Sequence, residues 1–510
     1  VVGGGITPPL QGGIVNEEGV TARASLRDGV FLTVIVMQFV LVMVNGSGTM
    51  ALPSVKSGFD VPDSDLQWFA ALFFLGYALV LVAAGRLGDI FGPRRLLLIG
   101  YAGFIFSTTL AATAPTIQVL LLARLLQGVS GGLLSPQLSA IIQRLFLGHE
   151  RTRAFAIFLF FSGGAFMVGQ ISAGALMTSD TFALGWRWAF LPFIPFAAIS
   201  WLRGLKSIPK LVTERSGKLD IPGAVVLGVV SFFLMFPLIQ GRNAGWPLWV
   251  FLLLACAIPA AIVFITLERR IVATGGDPLV NPVLFRLHTF RVGNVLTLLV
   301  GLIAAAVPLY LILTIQIGFG RSPFAAALLT FPMPFSNMFG SLVASPIMRK
   351  FGRGAVAIGA AFTAASAALI LILTPSNSGS ISVFVFIPSF ALLGFALGIS
   401  IASTIAIVLS DTPQEHAGSA SGVQATGSQL AGSLGIALYG VIFYAAIGSS
   451  DDLSKYLVGI DHVMWVTLAL CAVQVAMTFR LPRHTARENE ELPPSDLELL
   501  VLPDFHQKDN

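Results

Sequence analysis

Along most of its length the chain repeats one pattern: apolar runs of roughly 18 to 25 residues separated by short polar or charged joints. A helix rising about 1.5 Å per residue needs about 20 such residues to cross a hydrocarbon core about 30 Å thick. Unpaired backbone groups are costly in lipid, and spanning strands need only about half that length, so the runs predict an all-α helical membrane bundle. Composition agrees, since 55% of the 510 residues are hydrophobic and only 11% are charged, whereas about a quarter of a soluble domain is charged. The two cysteines, Cys256 and Cys471, both lie inside apolar runs. No disulfide framework, metal site or cofactor is expected from them. The net charge of +5 comes from Lys and Arg clustered at span ends, so it reads as orientation rather than as a nucleic-acid surface, and the partners expected are a lipid bilayer and a small-molecule substrate.

Counting apolar windows predicts about 14 helices, centred near 30–53, 66–85, 96–114, 117–142, 153–177, 187–206, 222–241, 247–267, 291–315, 324–346, 354–374, 382–409, 418–447 and 461–480. Placing both termini in the cytoplasm puts 24 of the 30 Lys and Arg on the inner side, five outside (Lys56, Arg187, Arg242, Arg321, Lys455) and Arg124 within a span. That imbalance is what the positive-inside rule requires of a plasma or inner-membrane protein. Residues 1–27 lack the basic start and apolar core of a cleavable signal and read as a cytoplasmic arm; 483–510 reads as an acidic cytoplasmic tail. Between them the expected units are a six-helix bundle over 28–218, two inserted helices over 219–270, a linker over 271–288 and a second six-helix bundle over 289–482. Phe91-Gly92 before the third span recurs as Phe351-Gly352 before the eleventh, each beside basic residues. The echo suggests a duplicated architecture with a site between halves, as transporters have.

Three segments concentrate polar chemistry. Gly85 to Arg95 reads as a glycine-rich charged hinge: Gly85, Gly88 and Gly92 give backbone freedom, while Arg86, Asp89, Arg94 and Arg95 can latch a conformation or merely enforce topology. Arg124 is the one charge well inside a span, where insertion costs about 2.5–3.5 kcal/mol, so it requires a polar interior, a partner or backbone carbonyls. The run from Gly163 to Leu176, with Gly169, Gln170 and Gly174, has small residues at helical spacing that permit close packing, with a bend at Gly169 as the second reading.

On these residues the chain resembles a major facilitator superfamily transporter of the fourteen-helix drug/proton antiporter branch. Gly85 to Arg95 is similar to that superfamily's GxLxDxxGxRR segment, and Arg124, Gln127 and Gly128 to its RxxQG signature. Ala51-Leu52-Pro53, Gln67-Trp68, Trp186-Arg187-Trp188 with Phe190, and Pro413 to Gly422 add to the likeness, which runs from about residue 30 to 480. The resemblance implies alternating access and export, with protons as candidate coupling ion. Two departures stand out. The family's helix-one acid falls on Val44, beside Asn45, and the GPxxGG pattern of helix five is broken by Gln170 and Ala173.

None of the 25 Asp and Glu or six His falls in the middle third of a predicted span; Asp89 and Glu268, at cytoplasmic ends, lie nearest to membrane depth. A proton exchanger ordinarily needs a titratable group near its path, and cationic drugs gain from an embedded carboxylate. Recognition is therefore expected from Arg124 and neutral groups among phenylalanines: Asn45, Ser47, Thr49, Gln127, Gln170, Asn294, Tyr310, Gln316, Asn337, Gln424 and Gln429. Three readings stay open: a proton-linked exporter of hydrophobic or amphipathic compounds, an uncoupled facilitator or exporter of neutral or anionic solutes, and a non-transporting scaffold. No enzyme chemistry is expected, since no embedded cluster of bases exists.

Overall fold

The computed structural model describes residues 29–481 except 147, 211–219, 242–243, 275, 277, 281, 375–381, 413–416 and 449–451. The expected arm and tail, Arg242 and the segment Pro413 to His416 lie outside the described residues, as does the side chain of Asp89. Fourteen helices are long and apolar enough to cross a membrane. In order they are α1 (Gly29–Phe59), α2 (Asp63–Phe91), α3 (Pro93–Ala112), α4 (Ile117–Leu145), α5 (Gly148–Ser179), α6 (Phe193–Ser207) with the 3-10 turn Gly185–Ala189 before it, and α7 (Ile221–Gln240). They continue with α8 (Leu248–Ala273), α9 (His288–Leu313) ending in a π turn over Thr314–Gly318, α10 (Pro323–Phe351), α11 (Gly354–Leu373), α12 (Phe386–Ser410), α13 (Ala417–Ile447) and α14 (Leu453–Thr478). The span α10 is interrupted at Phe331, before Pro332, where proline removes a backbone donor.

Packing divides these helices into two groups of six with the same internal arrangement. In the first, α1 packs on α5 and α6, α2 on α4, and α3 on α4 and α6. Eight helices later, α9 packs on α13 and α14, α10 on α12, and α11 on α12 and α14. Close approach sets the first pair: a Cβ on Gly46 would strike the carbonyl of Phe166, and one on Gly169 the carbonyl of Met43. With no side chain between the backbones, α1 and α5 meet at van der Waals distance. Helix α5 runs without a break through Gly169.

The Phe-Gly echo is also structural. Gly92 (φ 90°) ends α2 and Gly352 (φ 53°) ends α10, each in the left-handed region that glycine enters without Cβ strain. Beyond Gly92, Arg94 donates through Nη2 to the carbonyl of Leu205 at 2.7 Å, near the end of α6. Beyond Gly352, Arg353 donates through Nη1 to the carbonyl of Phe479 at 3.0 Å, just past α14. Both place a cation on the negative end of a helix.

The segment over 85–95 is mostly helical rather than the short loop expected from its glycines. Helix α2 continues through Phe91, leaving Gly92 as the joint. Gly88 is there for closeness: a Cβ would collide with the amide of Gln137 on α4, which donates to the carbonyl of Ala84 at 2.6 Å.

The hairpin α7–α8 stands apart from the six-helix groups. α7 touches α2 and α13, with Phe236 6.2 Å from Trp68 and Met235 Sδ 3.2 Å from Ser433 Oγ. α8 turns Phe251, Leu252, Ile258 and Ile262 outward, the apolar face expected against lipid chains.

Candidate functional site

A cavity of about 230 Å³ lies between the two groups. From the first come Asn45, Thr49 and Leu52 of α1, Phe69, Ala70 and Phe74 of α2, Arg124 of α4, and Phe166 and Gln170 of α5. From the second come Ala304, Ala305, Pro308, Leu309 and Ile312 of α9, Thr330, Met333 and Pro334 of α10, Phe390 of α12 and Ile436 of α13. Most of these recur every three or four residues, so each wall is one stripe of a helix. On α1, Asn45 faces the cavity, whereas Val44, where the resemblance would put a carboxylate, is buried outside its lining.

Arg124 is the one charged residue among the described lining residues. It is 2% exposed and held from several sides. Its Nε donates to the carbonyl of Phe69 at 3.2 Å and its Nη1 to Gln127 Oε1 at 3.0 Å. The guanidinium lies 4.7 Å from the ring centre of Phe69 and 4.8 Å from that of Phe73, near enough for cation–π attraction. A Cβ on Gly48 would come within 3.2 Å of Nη1, so α1 seals that side. Gln127 passes the chain on, donating through Nε2 to Thr108 Oγ1 at 3.1 Å. No carboxylate pairs with Arg124 among the described residues. The alternatives left open by the sequence thus coincide: the side chain ties α4 to α2 through a backbone carbonyl and also faces the cavity.

Of the twelve residues expected to recognise solute, four line this cavity: Asn45, Thr49, Arg124 and Gln170; Ser47 instead donates to the carbonyl of Ala189 at 2.6 Å and Asn294 to that of Phe290 at 2.8 Å. Gln127 sits behind Arg124. Tyr310 is fully buried, donating to the carbonyl of Ile436 at 2.6 Å and packing against Phe443 and Tyr444. Gln316 leans from the π turn and donates to the carbonyl of Met50 at 3.3 Å. Asn337 donates to the carbonyl of Gly394 at 3.4 Å, tying α10 to α12. Gln424 is buried and Gln429 half-buried on α13, and neither lines the cavity. Polar identity cannot tell a wall from a helix contact, because both satisfy an amide or hydroxyl with a carbonyl. Pro308, Met333 and Phe390 escape sequence reasoning for the converse reason: apolar walls look like any packed or lipid-facing stripe.

The residues expected to gate are spread over two ends. Arg86, Arg94 and Arg95 lie at the basic end with Gly85, Gly88 and Gly92, and Arg95 is exposed. Gly174 lies at the opposite end, where a Cβ would meet the carbonyl of Pro323 at 2.8 Å and Thr178 Oγ1 accepts from the amide of Phe324 at 3.0 Å. There α5 of one group abuts α10 of the other, and the Gln316 bond to α1 adds a second tie.

The acid inventory needs two amendments. Helix α14 begins at Leu453 rather than near 461, so Asp461 lies about 12 Å along it, half-buried but away from the cavity. Glu268 is 2% exposed and Asp220 6%, both at the basic end of the α7–α8 hairpin.

Residues 34–436 match the Major Facilitator Superfamily. The chain is 31% identical over 406 residues to a probable actinorhodin transporter of Streptomyces coelicolor, covering 79% of this chain and 70% of that one. It is 29% identical over 439 residues to a multidrug efflux pump of Mycolicibacterium smegmatis, covering 85% and 84%. An auto-inhibited POT family peptide transporter superposes with a TM-score of 0.66 at 16% identity, covering 89% of this chain and 98% of that one; this likeness shows the fold. The repeated six-helix arrangement, the cavity between its halves and these matches agree: the chain belongs to the Major Facilitator Superfamily.

Proposed function

We propose that the chain exports aromatic, amphipathic organic solutes through the cavity between its two helix groups, by alternating access, with neutral and anionic solutes preferred over cations. One observation carries the reading: among the described lining residues Arg124 is the one charge, set among phenylalanine and aliphatic side chains with a few neutral amides and hydroxyls. Phe69, Phe74, Phe166 and Phe390 supply flat apolar surface for a ring system. Asn45, Thr49, Gln170 and Thr330 orient oxygens and nitrogens without fixing a charge. A permanent cation in the same space meets a repelling guanidinium and no carboxylate. Export, rather than uptake, follows the names of the relatives, a transporter and a multidrug efflux pump.

The membrane is taken to be the plasma or inner membrane with both termini cytoplasmic, on the strength of the Lys and Arg bias alone. The basic end is then the inner one. The units that move are residues 28–218 and 289–482, with 219–270 as a lateral insert and 271–288 as their linker. Protons are the proposed coupling ion, bound outside the cavity since its described walls carry no acid or histidine.

Everted vesicles carrying the chain test this reading. They should accumulate an acidic or neutral aromatic dye when a pH gradient is imposed, and Asn45→Trp, which fills the cavity, should abolish accumulation. Failure to move any member of a panel sorted by charge contradicts the proposal, and transport indifferent to collapse of the gradient removes its proton linkage.

A further inference from the structure

At the inner foot of the α7–α8 hairpin two acids are buried against each other. Asp220 caps α7, its Oδ1 accepting from the amide of Gly223 at 2.7 Å, as an N-cap should. Its Oδ2 accepts from the amide of Leu279 at 3.0 Å, and Glu268 Oε2 accepts from the amide of Val280 at 2.9 Å. Two consecutive amides of the linker into the second helix group are therefore held by two carboxyl groups from either leg of the hairpin. The remaining oxygen, Glu268 Oε1, is buried with no hydrogen-bond partner among the described residues. It crowds the space over Gly223 together with Asp220 Oδ2, so carboxyl oxygens from the two legs of the hairpin share one buried space.

Two ionised carboxylates have only acceptors to offer each other, so neither can satisfy the other's buried oxygen until one of them carries a proton. Charge balance agrees. Arg86 of α2 faces Glu268, and with one proton the three groups sum to zero; without it a net negative charge is buried. Like carboxylates in contact cannot both ionise cheaply away from water. No other titratable group faces the pair among the described residues: the linker contributes backbone amides, and Arg269 and Arg270 are exposed.

We propose that Glu268, packed beside Asp220, is a proton-binding site that helps clamp the linker at Leu279–Val280 to the foot of the hairpin, and that losing this proton releases it. The clamped form then holds one proton more than the released form, so clamping is complete at low pH and weakens as pH rises. The site joins a segment connecting the two helix groups to the foot of the hairpin, and so lets the proton supply inside the cell bias how those groups move. It rests on no assignment of the cavity's solute.

Hydrogen–deuterium exchange on the full-length protein in lipid nanodiscs tests it. With rates divided by the intrinsic rate at each pH, protection of the Leu279 and Val280 amides should fall by about tenfold or more between about pH 6 and pH 9. Glu268→Gln keeps an acceptor for Val280 and a donor for Asp220 in every protonation state, so its protection should stay flat over that range. Protection in the unsubstituted protein that is independent of pH would overturn the proposal, as would a Glu268→Gln profile that still follows pH; the first result suffices if the variant does not fold. Transport of the dye panel by the same preparation reports separately on the cavity.

Discussion

Arg124 stacks on the ring of Phe69, 4.7 Å from its centre, while its Nε donates to the carbonyl of the same residue at 3.2 Å. One residue of α2 thus holds the guanidinium by face and by backbone, and Gln127 holds it from α4. Such a mounting fixes where the positive pole stands in the cavity and spares it the search that a flexible side chain would make.

Arg124→Lys keeps the charge but has neither the planar fork nor the stacking surface. Losing a hydrogen bond to a charged group costs about 1.5–3 kcal/mol, so efflux of an anionic dye should fall by roughly tenfold or more. Equal initial rates for the two proteins in proteoliposomes would show that the mounting is unimportant.

At the end opposite the basic one, Thr178 Oγ1 and the amide of Phe324 are 3.0 Å apart across the two groups. In a background of Cys256→Ser and Cys471→Ser, the pair Thr178→Cys and Phe324→Cys should form a disulfide that stops transport, and reduction should restore it. A cross-linked protein that transports at full rate would mean that this contact never opens.

The motif glycines should divide by conformation. Gly92→Ala and Gly352→Ala force a side chain into the left-handed region, at about 1–2 kcal/mol each, and should lower the unfolding temperature in detergent. Gly85 is helical with open space around its Cα, so Gly85→Ala should be neutral or gain up to about 1 kcal/mol. A common effect at all three would argue for a shared hinge instead.

Gly169→Leu pushes a side chain into the carbonyl of Met43. Overpacking of this kind costs about 1–3 kcal/mol, so the variant should melt earlier than Ser172→Leu, a change on an exposed to half-buried stretch of the same helix. Thermal shift measured on the two proteins side by side decides it.

Much of this was legible in the sequence. Span length, basic bias and the Phe91-Gly92 echo carried the helix count and the repeat, because lipid allows few alternatives. Arg124 announced itself by the cost of placing it. What the sequence could not separate was role within a shared chemistry. Tyr310, Gln316 and Asn337 satisfy carbonyls inside helix contacts, whereas Asn45 and Gln170 face the cavity, and nothing in an amide or hydroxyl marks the difference. The glycines of 85–91 looked like a loop because packing against α4, not backbone freedom, is what requires Gly88. Asp220 and Glu268 are 48 positions apart and meet only through the hairpin.

The account turns on a lone cation among aromatic walls, and affinity across a charge series reads it directly. Three ligands sharing one aromatic scaffold, bearing a carboxylate, an amide or a quaternary ammonium, should bind the purified protein in that order of decreasing affinity, and Arg124→Gln should bring the three together. Tightest binding of the quaternary ammonium ligand, or an unchanged ranking in Arg124→Gln, would contradict it.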